Sequence, residues 1–185
     1  MCIIDRFKIM NLITPTSLRL LQTLLGDPMG RYHGREIVRR TGVSVGGANQ
    51  MLRSFANLGL LSREKQGRML FYKANMDNPV VKQLKILFTL FRLDDLIEQA
   101  KPLSDRIILF GSCAEGTDVK ESDIDLLLLT DEKPQLSHVI HRFNTRSQKR
   151  IAPIILDRVG FSKLKREDSA LFDRISKGIV LWQRD

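Results

Sequence analysis

A chain of 185 residues, 43% hydrophobic and 28% charged, is long enough for one domain or two small ones and has the make-up expected of a soluble globular protein. No stretch reaches the ~18 uncharged apolar residues of a membrane span, and Cys2 and Cys113 stand outside any CxxC spacing, which argues against a disulfide framework and a structural zinc site. The formal net charge of +9 is uneven: Thr14–Asn75 holds ten basic residues against three acidic, Lys101–Asp185 fifteen against thirteen. The first half therefore carries a positive field suited to a polyanionic partner, although a basic face can also be merely solvated.

The opening "MCIIDRFKIMNLITP" is apolar but interrupted by Asp5, Arg6 and Lys8. It lacks the order of a signal peptide, so a cytoplasmic location with no membrane partner is expected. Apolar residues at 18, 20, 21, 24 and 25 have helix spacing, with Pro15 as a start signal and Gly26-Asp27-Pro28 as a stop. A short helix over about Gly34–Arg40 should end at Thr41-Gly42, and Ser44 can cap the next one. There Ala48, Met51, Leu52, Phe55 and Leu58 share a face, Asn49, Gln50 and Arg53 lie off it or on its edges, and Gly59 is the stop. "LLSREK" and "RMLFYKA" read as two strands joined at Gln66-Gly67.

Helix, helix, tight turn, helix, hairpin is the order of a winged helix. The stretch "REIVRRTGVSVGGANQMLRSFANLGLLSREKQGRMLFYKA" resembles the winged helix-turn-helix domains of prokaryotic transcription regulators. The resemblance implies that the helix after Ser44 lies in the major groove of double-stranded DNA. The amides of Asn49 and Gln50 suit adenine edges, and Arg53 could reach guanine or phosphate. Arg63, Lys65 and Arg68 would meet phosphates or the minor groove around the wing. Packing of the same domain against protein is the other reading of these residues.

Asn78-Pro79 breaks the chain before "VVKQLKILFTLFRLDDLIEQA", whose apolar stripe has helix spacing. That stripe could pair with a second copy in a homodimer or pack on its own chain. Lys101-Pro102 closes the segment. The expected organisation is a winged helix over 14–76, a linking helix over 79–101 and a second domain over 102–185.

In that second half "RIILF", "DIDLLLLT", "IAPIIL" and "GIVLW" read as strands. "PQLSHVIHRFNTRSQK" and "FSKLKREDSALFDRIS" read as helices, and the alternation means a sheet of the α/β kind. Residues two apart on a strand share a face, so Asp123 and Asp125 aim together. Burying carboxylates is costly without a compensating cation. Two of them beside Gly111-Ser112 can hold Mg²⁺, with phosphate oxygens completing its shell. Ser112 and backbone N–H groups at a helix start can hold those phosphates, and Gly111 lets them approach. His138 and His141 could share a metal, but no third ligand is evident, and basic "HRFNTRSQKR" could guide a nucleic acid or be a solvated helix end.

The order strand, Gly111-Ser112, Gly116, Ser122-Asp123-x-Asp125, strand resembles the DNA polymerase β-type nucleotidyltransferases, above all their minimal form. The likeness spans about Ser104 to Trp182. The expected fold class is thus a two-domain α+β and α/β chain: an N-terminal winged helix, a linking helix and a C-terminal mixed-sheet nucleotidyltransferase fold. The resemblance implies transfer of a nucleoside monophosphate from a nucleoside triphosphate to a hydroxyl. Two Mg²⁺ ions (or Mn²⁺) would sit on Asp123 and Asp125, with Gly111, Ser112, Gly116 and Ser122 at the nucleotide. It also implies a third carboxylate on the strand "IAPIIL". Alignment puts it near Ala152, which has none, so Asp157, the only acid there, is the candidate third catalytic carboxylate beside Asp123 and Asp125. Minimal members often carry arginines after Gly-Ser, where this chain has Cys113 and Glu115, and they often pair with a toxin-type partner protein.

Two readings stay open on this sequence. One is a metal-dependent nucleotidyltransferase coupled to a DNA-binding winged helix. The other is a DNA-binding transcription regulator whose second domain is catalytically inactive and serves as a nucleotide sensor or a dimer or partner platform.

Overall fold

The computed structural model describes residues 13–184. The readings of Cys2 and of the first twelve residues lie outside them. The chain divides into two compact units between Lys85 and Ile86. Among the described residues no helix is long and apolar enough to cross a membrane.

The first unit opens with α1 (Pro15–Leu25), where the Thr14 hydroxyl accepts from the Ser17 N–H and the Ser17 hydroxyl accepts from the Thr14 N–H. This reciprocal cap satisfies two N–H groups that a helix start leaves open. Leu20, Leu21, Leu24 and Leu25 are buried on one side. A two-residue strand β1 (Tyr32–His33) leads into α2 (Gly34–Thr41), which the His33 ring caps by accepting from the Glu36 N–H at 3.2 Å. Gly42 ends α2 at φ +70°, a conformation that favours glycine. Ser44 caps α3 (Val45–Asn57), which buries Ala48, Leu52 and Phe55.

Strands β2 (Leu61–Gln66) and β3 (Met69–Ala74) pair antiparallel with Gln66 opposite Met69. The hairpin turn is therefore Gly67-Arg68, one residue on from the expected Gln66-Gly67, and Gly67 takes φ +59°. β1 pairs on the other edge of β3, giving the sheet order β1-β3-β2. The sequence reading lacked β1, because two residues cannot show an alternation.

Helix α4 (Pro79–Ala100) runs through the division between the units. Its last turns bury Leu93, Leu96 and Ala100 in a core that the strands of the second unit share. The boundary expected near Lys101-Pro102 falls where a short 3₁₀ turn, Lys101–Leu103, closes this helix.

The second unit is built on a mixed sheet of order β6-β5-β4-β7. β4 (Arg106–Phe110) pairs antiparallel with β5 (Ile124–Leu129) and β7 (Ile179–Gln183), and β5 pairs parallel with β6 (Ile151–Leu156). One face, carrying Ile107, Leu109, Leu126 and Leu128, packs with Leu93 and Leu96 and with Leu136 and Ile140 of α6 (Lys133–Arg146). The opposite face, carrying Ile108, Phe110, Leu127 and Leu129, packs with Ile175, Phe161, Leu164 and Leu171. Two covered faces explain why "LLLL" shows no polar alternation. Each fully buried leucine contributes about 1.5–3 kcal/mol relative to exposure.

The single helix expected over "FSKLKREDSALFDRIS" is two helices, α7 (Arg158–Glu167) and α8 (Ser169–Ser176). Asp168 leaves helical geometry between them, and its carboxylate accepts from the Leu171 N–H at 2.9 Å. An aspartate that can cap the next helix breaks an apolar period that would otherwise run on.

Candidate functional site

Asp125 lies in β5 opposite Phe110 of β4 and Ala152 of β6. Its face of the sheet is the one carrying Leu127 and Leu129, which α7 and α8 cover. Asp123, one residue before the strand, is exposed, whereas Asp125 is half-buried. Burial pushes the Asp125 carboxyl above the ordinary carboxylate range, Arg174 pulls the other way, and the negative charge of Asp123 adds to the rise.

Gly111 is fixed by the same geometry. It takes φ +69°, and a Cβ placed there would sit 2.3 Å from the Asp125 carboxylate oxygen Oδ2. Only a residue without a side chain lets the carboxylate rest against this turn. The loop then forms α5 (Gly111–Glu115), which Gly116 ends at φ +68°. Ser112 is half-buried at its second position, and its carbonyl accepts from the Gly116 and Thr117 N–H groups.

The remaining loop residues divide by environment. The Cys113 side chain is buried in the core, and its thiol donates to the Asp123 carbonyl at 3.4 Å. Of the two positions where the sequence departs from an arginine-rich loop, only Glu115 faces solvent. The Ser122 hydroxyl accepts from the Val119 N–H at 2.9 Å, and the Ser122 N–H donates to the Val119 carbonyl at 3.1 Å. Ser122 closes the turn that delivers Asp123.

A buried ion pair holds that turn. Lys149 Nζ binds the Asp118 carboxylate and also donates to the Val119 carbonyl at 3.2 Å, so the chain before β6 is tied to the chain before β5. The sequence reading left Lys149 within a basic, solvated helix end. The structure corrects this: Lys149 is buried. Nothing in the sequence marks a partnership between residues so far apart along the chain.

Asp157 is not brought to the pair. It follows the last residue of β6, whereas Asp125 is in register with Ala152 near that strand's start. Five residues of strand separate the two levels by ~16 Å. Its carboxylate caps α7, accepting from the Gly160 N–H at 2.7 Å, and pairs with Lys133 at 3.0 Å. These contacts hold the carboxyl below the ordinary range.

Arg174, which sequence reasoning missed, projects from α8. Its guanidinium carbon lies 5.8 Å from the centre of the Phe110 ring. Only the fold of α8 over the sheet brings it there.

Among the described residues no group of three or more His, Cys, Asp or Glu side chains could hold a metal. His138 and His141 are exposed on α6 without a third ligand. Two carboxylates, one exposed and one half-buried, fit a hard divalent cation that takes its other oxygens from a bound ligand and water, as Mg²⁺ does.

In the first unit Asn49, Gln50 and Arg53 are exposed on α3, as are Arg63 and Lys65 on β2 and Arg68 in the hairpin turn. The Asn49 side chain leans onto the start of α2: a Cβ at Gly34 would lie 2.6 Å from its amide oxygen. Gln50 and Arg53, three apart, share the outer face of the helix.

Residues 95–185 match the family described as polymerase beta, nucleotidyltransferase. A protein of Methanocaldococcus jannaschii, provisionally named a protein adenylyltransferase, is 37% identical over 67 residues, which cover 33% of this chain and 68% of that one. The chain belongs to the polymerase β-type nucleotidyltransferase family. Similar solved structures include a provisionally named nucleotidyltransferase of Sulfolobus solfataricus, at 20% identity and TM-score 0.39, covering 60% of this chain and 94% of that one. The transcriptional repressor BigR of Xylella fastidiosa is similar at 20% identity and TM-score 0.38, covering 45% of this chain and 82% of that one.

Proposed function

We propose that the second unit binds a nucleoside triphosphate with a divalent cation and transfers its nucleoside monophosphate to an acceptor hydroxyl, with release of pyrophosphate. The observation that carries this is the fit of the Asp125 carboxylate against Gly111, beside Asp123. Asp123 and Asp125 would hold Mg²⁺ or Mn²⁺, one ion or two. When bound, the cation supplies positive charge to the attacking and leaving oxygens. The turn at Gly111-Ser112 would take the phosphates, and Gly116 lets the loop end sharply. Ser122 and the Lys149–Asp118 pair set where Asp123 stands. The name of the Methanocaldococcus jannaschii relative points to a protein as the acceptor and an adenylyl group as what is transferred.

We propose further that the first unit is a winged helix that brings double-stranded DNA to the chain. Support comes from its helix order, its hairpin and the exposed Gln50, Arg53, Arg63, Lys65 and Arg68. Asn49, leaning on Gly34, is the weakest base-reading candidate of the set.

A second reading is favoured by one observation. Ala152, not an acid, stands in register beside Asp125, and Asp157 is engaged elsewhere. A site with two carboxylates can bind nucleotide and cation yet transfer nothing, which would make the chain a nucleotide-responsive regulator.

One experiment separates the two. Purified protein is incubated with each labelled triphosphate, Mg²⁺ or Mn²⁺, and host extract as acceptor pool, beside an Asp123→Asn/Asp125→Asn control. Label present only with the intact pair establishes transfer and shows the acceptor class. Binding without label under all conditions supports the regulator.

A further inference from the structure

The acid pair has a cation of its own beside it. Arg174 stands over the ring of Phe110, and Phe110 is the register partner of Asp125. Gly111, the next residue, is the one against which the Asp125 carboxylate rests. Phe110 and Asp125 share the face of the sheet that α8 covers. Among the described residues Arg174 makes no ion pair, whereas Arg158 and Arg184 are both committed to Asp105. An exposed arginine whose guanidinium stands over an aromatic ring is held beside the site without being consumed by an ion pair.

We propose that Arg174 is the phosphate-binding residue of the nucleotide site, exchanging the field of the acid pair for a phosphate group when a divalent cation occupies Asp123 and Asp125. This rests on the nucleotide-binding reading above. Before a cation binds, the positive charge of Arg174 acts on Asp125, and Asp123 adds a second carboxylate beside it. A divalent cation neutralises both, which leaves the guanidinium without a counter-charge and next to the phosphates that accompany the cation. A planar guanidinium donates two parallel hydrogen bonds to a phosphate, which an ammonium cannot reproduce. In the loop after Gly111 neither Cys113, which is buried, nor Glu115, which is acidic, offers a guanidinium, and Lys120 offers only an ammonium.

The test uses the full chain and two binding measurements that this role drives in opposite directions. Mn²⁺ binding without nucleotide is read by electron paramagnetic resonance. Binding of each of the four triphosphates in Mn²⁺ is read by equilibrium dialysis. Arg174→Ala should bind Mn²⁺ more tightly, because a repelling cation is gone, and should bind triphosphate about tenfold or more weakly. Arg174→Lys should keep wild-type Mn²⁺ affinity and recover only part of the triphosphate binding. A misfolded variant would lose both ligands, so the opposed signs exclude that origin. Triphosphate binding unchanged in Arg174→Ala, with wild type binding normally, overturns the assignment of Arg174 alone. Wild type that takes up Mn²⁺ but none of the four triphosphates overturns the nucleotide-site reading, and this inference with it.

Discussion

The two ends of the β5–β6 strand pair each carry an aspartate, and they treat it oppositely. At one end Asp125 is half-buried, pressed against Gly111 and near the charge of Asp123, and its carboxyl is pushed up. At the other end Asp157 caps α7 and pairs with Lys133, and its carboxyl is held down. A carboxylate whose oxygens are occupied by backbone N–H and ammonium groups is part of the architecture. One held in an unfavourable field and left open to a ligand is a candidate for chemistry.

The largest effects should come from the open end. Asp123→Asn and Asp125→Asn should each lower Mn²⁺ affinity by more than about 100-fold, since even partners that merely orient metal ligands are worth 10–100-fold. Titration of Mn²⁺ by paramagnetic resonance checks this, and transfer activity should follow. Asp157→Asn should leave both at wild-type levels. Loss of Mn²⁺ binding in Asp157→Asn would erase the contrast between the two ends.

The support of the open end comes next. Lys149→Met leaves Asp118 buried without its ammonium, and breaking one side of such a pair costs about 3–5 kcal/mol. Denaturant unfolding should show that loss. Gly111→Ala should cost about 1–2 kcal/mol for its positive φ. It should also weaken Mn²⁺ binding, because the new methyl group occupies the place of the Asp125 carboxylate. A Gly111→Ala protein with full metal affinity would mean that the carboxylate has another resting place.

How much of this was legible follows the range of the interactions. The helix start signalled by Pro15, the cap at Ser44, the stop at Thr41-Gly42 and the strands around Gly111 rest on neighbours in sequence, and the structure has them where the sequence puts them. The missing acid near Ala152 was readable only through the family resemblance, and the structure sets Ala152 in register beside Asp125. The two-residue β1 and the break at Asp168 were not. The first is too short for a period, and at the second a cap competed with a continuing apolar pattern. The Lys149–Asp118 pair and the approach of Arg174 to Phe110 were invisible, since each joins residues that only the folded sheet brings together. Ser122 was readable as part of a motif but not as the residue that closes the Val119 turn.

The smallest effect tests the contrast most directly, because the two aspartates should show opposite signs. A carboxyl held below its unfolded value contributes stability above the unfolded pKa, and that contribution is lost as pH falls through the folded value. Asp157→Ala should therefore lower the melting temperature slightly at neutral pH, with the difference closing under acid. A carboxyl pushed above its unfolded value does the reverse: its charge works against the fold at neutral pH, and the penalty is relieved as pH falls through the folded value. Asp125→Asn, measured without metal, should raise the melting temperature at neutral pH and converge on wild type in acid. Adding Mn²⁺ should stabilise wild type and leave Asp125→Asn where it was, because on the proposed reading only the intact pair would bind the ion in the folded state. If both variants shifted the same way at neutral pH, the two ends of the strand pair would be electrostatically alike, and the open end would lose its claim to be the site.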